Sequence, residues 1–169
     1  TTVKVNADNS VYGNKVIVKV TASENGKVTV NVGSNVRTID VKANKVTSID
    51  FGILDAKSYE VNATFDGGKN YQTSSDKTSL VVSPKSSTIT LVDFVNSYVY
   101  AQNVIIKMKS DVDGALTVKV GDTLQTKQVT VGDIVSFDCG ILNVNAYVVT
   151  IDWMSGNNYI PFQKTTSIA

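Results

Sequence analysis

The feature that most constrains this chain is a duplication. Set against itself at an offset of 88, residues 11–81 align with 99–169 without a gap, and 24 of the 71 paired positions are identical. VYGNKVIVKV (11–20) faces VYAQNVIIKM (99–108), and SIDFGIL (48–54) faces SFDCGIL (136–142). At the start the offset is 86, TTVKV against STITL at 87–91, so copy two carries a two-residue insertion after its first strand. A fixed internal period decides the architecture before any local reading does. The junction falls in Ser83-Pro84-Lys85-Ser86, where proline and serines suit a short, fairly stiff linker. Two domains are therefore predicted, 1–85 and 86–169. At that size each buries only about 60 to 65 per cent of its unfolded surface and depends on efficiently packed strands.

Within copy one the dominant period is two, the mark of half-buried strands. Val16, Val18 and Val20 alternate inward, as do Val28, Val30 and Val32, while Lys15, Lys19, Lys27 and Asn31 take the other phase. Further strands are predicted at 3–5, 36–42, 46–51, 59–65 and 79–82, separated by Asn-Gly, Gly-Ser, Lys-Ala-Asn and Gly-Gly punctuation. Seven short strands in about 85 residues, with no sustained helical period, predict an all-β fold of two tandem immunoglobulin-like Greek-key β-sandwiches.

SYEVNATFDGGKNY (58–71) has an image in AYVVTIDWMSGNNY (146–159). Tyr59 opens the sixth strand two residues before Val61, where immunoglobulin-type sandwiches place a tyrosine whose hydroxyl bonds back to the corner backbone. Val61 and Val149 stand at the site of the second cysteine, so no inter-sheet disulfide is expected. Tyr59, Val61, Ala63 and Phe65 face inward in this reading, as do Tyr147, Val149, Ile151 and Trp153, which makes the only tryptophan a core residue. Tyr71 and Tyr159 are expected to fold back over the end of each sandwich.

The spelling Y-x-V-x-A-T-F-x-G-G-x-N-Y resembles the bacterial and archaeal Ig-like repeats of large adhesin-like cell-surface proteins, those of methanogenic archaea in particular. The matching residues are Tyr59, Val61, Ala63, Thr64, Phe65, Gly67, Gly68, Asn70 and Tyr71. In copy two they are Tyr147, Val149, Trp153, Gly156, Asn158 and Tyr159, with departures at Ile151, Asp152, Met154 and Ser155. The resemblance implies an extracellular, cell-surface, non-enzymatic repeat in cell adhesion, with neighbouring Ig-like repeats and a host or microbial receptor or glycan as partners. It carries no catalytic residues or cofactor. The alternatives are a carbohydrate- or protein-receptor-binding module, or an accessory module of an extracellular enzyme.

Charge and composition narrow the chemistry. Sixteen Lys and Arg against fifteen Asp and Glu give a net charge of +1 with no basic run, so nucleic acid and anionic membrane are not expected partners. The absence of histidine removes the commonest general base and most zinc sites. The lone Cys139 sits in an apolar-alternating run and reads as a small core residue. No apolar run reaches the ~18 residues of a membrane span, and the chain opens in a strand-like pattern, as an excised piece of a longer protein does.

Four constellations remain. Lys19 and Asp50, matched by Lys107 and Asp138, are expected to form outward cross-strand ion pairs, worth at most ~1 kcal/mol. A Lys–Asp amide cross-link would need a buried pair and a proton-shuttling acid, which the outward phase disfavours. Asp111-Val-Asp113-Gly114 is the weak candidate for a metal site. Two carboxylates fall short of the six to eight oxygens calcium takes, and copy one has Ser23-Glu24-Asn25-Gly26 there, so a plain hairpin is the preferred reading. Asn62-Ala63-Thr64 is a glycosylation sequon with Asn62 expected to face solvent. Tyr98 with Ile160, Pro161 and Phe162 makes the candidate binding loop, and Tyr100 is assigned to packing through its image Tyr12.

Overall fold

The computed structural model describes residues 1–169 as two compact units, Thr1–Lys85 and Ser86–Ala169. Unit 1 holds β1 (Val3–Ala7), β2 (Ser10–Val11), β3 (Lys15–Ala22), β4 (Gly26–Val32), β5 (Asn35–Val41), β6 (Val46–Ile53), β7 (Ser58–Asp66) and β8 (Ser74–Ser83). Its sheets run β1-β3-β6 and β2-β8-β7-β4-β5. Unit 2 holds β9 (Ile89–Val92), β10 (Asn103–Ser110), β11 (Gly114–Val120), β12 (Thr123–Val129), β13 (Val135–Ile141), β14 (Tyr147–Met154) and β15 (Phe162–Ile168). Its sheets run β9-β10-β13 and β12-β11-β14-β15. All pairs are antiparallel except β2 with β8. Consecutive strands crossing between two facing sheets give the predicted all-β Greek-key sandwich in each unit.

Strand alternation fixes each core. Val16, Val18, Val20, Val28, Val30 and Val32 are all buried, joined by Val61, Ala63, Phe65 and Leu80. The second core repeats the pattern with Val104, Ile106, Met108, Leu116, Val118, Val120, Val149, Ile151 and Trp153, the last only 1% exposed. Register follows from the pattern, because a one-residue slip would turn every one of these side chains to solvent. The β4–β5 and β11–β12 hairpins turn on two residues, with Gly33 and Gly121 at φ 57° and 56°, the left-handed conformation such tight turns need.

Three expectations are corrected. β8 begins at Ser74, five residues before the predicted strand, because its polar first half still pairs with β7 through backbone hydrogen bonds. The short β2 has no periodic signal, since two residues are too few to show one. Tyr71 does not cover the end of unit 1. It is 47% exposed, held through its backbone amide to the Gly67 carbonyl at 2.9 Å. Tyr159 is half-buried.

Candidate functional site

The residues written twice are used for the frame. Tyr59 Oη donates to the Asp55 carbonyl at 2.8 Å, and Tyr147 Oη donates to the Asn143 carbonyl at 3.1 Å, so both copies close the predicted tyrosine corner. Each ring lies against the hairpin glycine, with a carbon at 3.1 Å from where a Cβ on Gly33 or Gly121 would sit.

The duplicated aspartates have a different use from the expected one. Asp50 lies opposite Ile17 and Lys19 opposite Ser48, while Asp138 lies opposite Ile105 and Lys107 opposite Ser136. Neither lysine pairs with its aspartate. Instead, Asp50 Oδ1 accepts from the Gly52 amide at 2.7 Å, and Asp138 Oδ1 from the Gly140 amide at 2.9 Å. At these points the register slips by one, so two residues oppose Val16 and two oppose Val104. Gly52 and Gly140 take φ of 75° and 70°. The Asp-x-Gly spelling is therefore a β-bulge, which bends the strand into the corner. Asp50 also meets Lys15 Nζ at 2.9 Å through Oδ2, an exposed pair absent from copy two, where Asn103 replaces the lysine. The hydrogen bond from Lys15, then that from Gly52, holds the Asp50 carboxyl below the usual range.

The acidic turn is likewise a frame element. Asp111 Oδ1 accepts from the Thr88 amide at 2.8 Å and Asp113 Oδ1 from the Val131 amide at 2.7 Å, each carboxylate serving a different neighbouring segment. Gly114 is there for the core: a Cβ on it would strike the Trp153 ring, as one on Gly26 would meet Phe65 Cζ at 2.7 Å. Asn62 takes the expected outward phase, between buried Val61 and Ala63, but is less open than a loop residue. It lies mid-strand between β4 and β8, opposite Asn31 and Lys77, half-buried, with Nδ2 donating to Glu60 Oε1 at 2.9 Å.

The candidate binding loop does not hold together. Trp153 pairs with Phe162 and Tyr147 with Ile168, so β15 carries the chain from one end of unit 2 to the other. Ile160, Pro161 and Phe162 enter at the Trp153 end, with Phe162 packed on the core and Ile160 and Pro161 exposed. Tyr98 belongs to the opposite end, its amide donating to the Ala169 carbonyl at 2.8 Å and its hydroxyl to the Ile105 carbonyl at 3.2 Å. Its backbone bond matches that of Tyr12 to Ser83. Tyr98 thus takes the packed place expected of Tyr100, and Tyr100 is 64% exposed. The insertion separates these two roles, one tyrosine pairing with the last strand and the other riding on the turn closed by Gln102 N to Val99 O at 3.1 Å.

Around Tyr98 and Tyr100 opens a cavity of about 180 Å³, mostly apolar, bounded by residues 98–104, the corner 142–147 and the end of β15. Cys139 lies in the core, its thiol pushed up first by burial and then by the nearby Asp138, the behaviour of a protonated packing residue.

No protein-family model matches the chain, and no curated protein matches it in sequence. Solved structures do. Fibronectin(III)-like modules of Clostridium thermocellum CbhA align over 98% of this chain and 93% of theirs, at 10% identity and a TM-score of 0.42. A 1.5-MDa bacterial ice-binding adhesin aligns over 99% of this chain and 64% of the solved one, at 13% identity and a TM-score of 0.37. A beta-glycosidase from Bacteroides vulgatus aligns over 99% of this chain but only 24% of its own, at 10% identity and a TM-score of 0.37. The sandwich fold stands on the strand order given above, independently of these likenesses.

Sequence reasoning finds the tyrosine corner because a large side chain recurs at a fixed distance from a turn. It misses the cavity, whose lining residues are individually ordinary. The available signal is the pair Tyr98 and Tyr100 against the single Tyr12, since an insertion that duplicates an aromatic beside a strand end changes what that end can cover.

Proposed function

We propose that this chain is a pair of non-enzymatic Ig-like modules of an extracellular, adhesin-like surface protein, of the kind the methanogen repeats represent. Each unit acts as a spacer that holds a more distal element away from the cell surface. The observation that carries this reading is where the identities between copies fall. The corner tyrosines, bulge aspartates and glycines, hairpin glycines and the glycines under Phe65 and Trp153 all maintain the sandwich, as selection for a repeated building block requires. No helix of the chain is long and apolar enough to cross a membrane. Antibodies raised against this chain should label intact source cells without permeabilisation; labelling only after lysis would contradict the proposal.

A second reading, receptor or glycan binding, has its own observation. Where copy one has Asp66-Gly67-Gly68, copy two has Met154-Ser155-Gly156, and Met154 and Ile160 both stand exposed around this altered loop. Adhesion of particles coated with the chain to a receptor-bearing surface, lost on Ile160→Ser, would favour binding over spacing.

A further inference from the structure

The two units guard the same sheet edge differently. In unit 2, β13 is an edge strand, and its Ser136 and Asp138 carbonyls face away from β10. Two side chains of β12 reach them. Lys127 Nζ donates to the Ser136 carbonyl at 2.6 Å, and Gln125 Nε2 donates to the Asp138 carbonyl. Both side chains have the inward phase, Gln125 standing opposite Val118 and Lys127 opposite Leu116. Polar groups bent over an edge in this way keep a further strand from adding to it.

The images of Gln125 and Lys127 in unit 1 are Arg37 and Ile39, and those of Ser136 and Asp138 are Ser48 and Asp50. Ile39 packs against the core and has no polar side-chain group to offer. Arg37 lies over the Phe51 ring, 5.7 Å from its centre, with Nη1 donating to the Val36 carbonyl at 3.4 Å. The cation follows the aromatic ring. In unit 2 that ring is Phe137, two residues before the place of Phe51, and Lys127 covers it at 5.4 Å. The Ser48 and Asp50 carbonyls of β6 are thereby left to solvent. Elsewhere in unit 1 the edges are covered: Asp76 Oδ2 accepts from the Val5 amide of β1 at 3.0 Å, and β2 with Asn9 Oδ1 covers the end of β8.

We propose that the β6 edge of unit 1 is a strand-pairing surface for β6 of a second copy of this chain. Along it Val46, Ser48 and Asp50 are all exposed, and strand alternation turns their N–H and C=O groups to the same side. An antiparallel two-fold with Ser48 on its axis pairs all three, Ser48 with Ser48 and Val46 with Asp50, and sets no like charges opposite each other. Moving the axis by one residue matches only two of the three, and centring it on Asp50 faces two carboxylates. The β1-β3-β6 sheets of the two copies then join into one, and the two-fold closes the pair so that it does not grow into a fibre. A second copy fits better than a free peptide, because its β6 is already a strand and does not bear the cost of ordering on docking. One strand pair is a small interface, so the association is weak. This inference does not depend on the surface-spacer reading.

Sedimentation equilibrium of the whole chain from about 10 μM to about 1 mM should show monomer passing to dimer, with a dissociation constant of about 0.1–1 mM. Ser48→Lys sets two ammonium groups face to face on the axis and should weaken the dimer about fivefold at low salt. Ser136→Lys, at the image position in unit 2, should leave it unchanged. Both serines are exposed, so neither substitution disturbs a core. Ile39→Lys gives unit 1 the residue that caps the edge in unit 2 and should also weaken the dimer. Amide exchange at Ser48 and Asp50 should slow as concentration rises, while Ser136 and Asp138 should show no such dependence. A monomer throughout the range, a dimer indifferent to Ser48→Lys, or one weakened equally by Ser136→Lys would overturn the proposal.

Discussion

Unit 1 and unit 2 repeat one frame and finish it differently. Tyr59 and Tyr147 close the same corner, and Asp50 and Asp138 brace the same bulge. Gly26 and Gly114 make room for the same large ring, Phe65 in one and Trp153 in the other. At the strand ends the likeness stops. Unit 1 has the short β2 beside β8, where unit 2 carries a two-residue insertion and holds Tyr98 beside the end of β15. The lesson is that a residue shared by two copies marks what a sandwich needs, while the differences gather in loops such as Asp66-Gly67-Gly68 against Met154-Ser155-Gly156.

The comparison breaks first at the aromatic centre of each core. Trp153→Ala should cost unit 2 about 3–5 kcal/mol, with Phe65→Ala in the same range for unit 1, both read from denaturant unfolding. Next are the glycines beneath those rings. Gly26→Ala and Gly114→Ala should each lose about 1–3 kcal/mol by overpacking. Gly114→Ala is expected to be the worse, because both the Trp153 ring and the Met154 carbonyl crowd the new carbon. Were Gly114 kept for an acidic-loop ligand instead, its substitution would leave the unfolding midpoint unchanged.

How much of this was legible in the sequence depends on the length scale of each signal. Alternation over five or more residues gave the cores, from Val16 to Val20 as from Val28 to Val32, because period two is visible only in a run. The corner tyrosine was legible from its distance to Val61 and to the preceding turn. The partner of Asp50 was not, because the residue across from it follows from the β3–β6 register, which sets Ile17 opposite Asp50 and Lys19 opposite Ser48, and no local pattern fixes that register. Nor was the separation of Tyr98 from Phe162, since which end of a sheet a loop occupies follows from strand direction, and both residues look equally loop-like in a linear text.

Smaller effects sharpen the comparison further. Tyr59→Phe should cost about 1 kcal/mol, and Tyr147→Phe less, because the Tyr147 hydroxyl is the more exposed and its bond is 3.1 Å against 2.8 Å. Smallest is Lys15→Asn, which gives unit 1 the residue found in unit 2. Lys15 and Gly52 depress the Asp50 carboxyl, so the pair contributes above the ordinary carboxylate range and its contribution is lost as pH falls through the lowered value. The parent chain should therefore lose stability slightly more steeply on acidification than the variant, the two converging at low pH. The pair is fully solvated, and its effect at neutral pH should be barely measurable.

Hydrogen exchange measured residue by residue on the whole chain tests the central claim most directly. A shared frame predicts that the slowest amides fall in β3, β4 and β7 and recur 88 residues later in β10, β11 and β14. The more exposed corner of unit 2 predicts that the amides around Leu142, Asn145 and Tyr147 exchange faster than their images around Leu54, Lys57 and Tyr59. Protection that ignores the 88-residue offset, or a corner as well protected in unit 2 as in unit 1, would contradict the account.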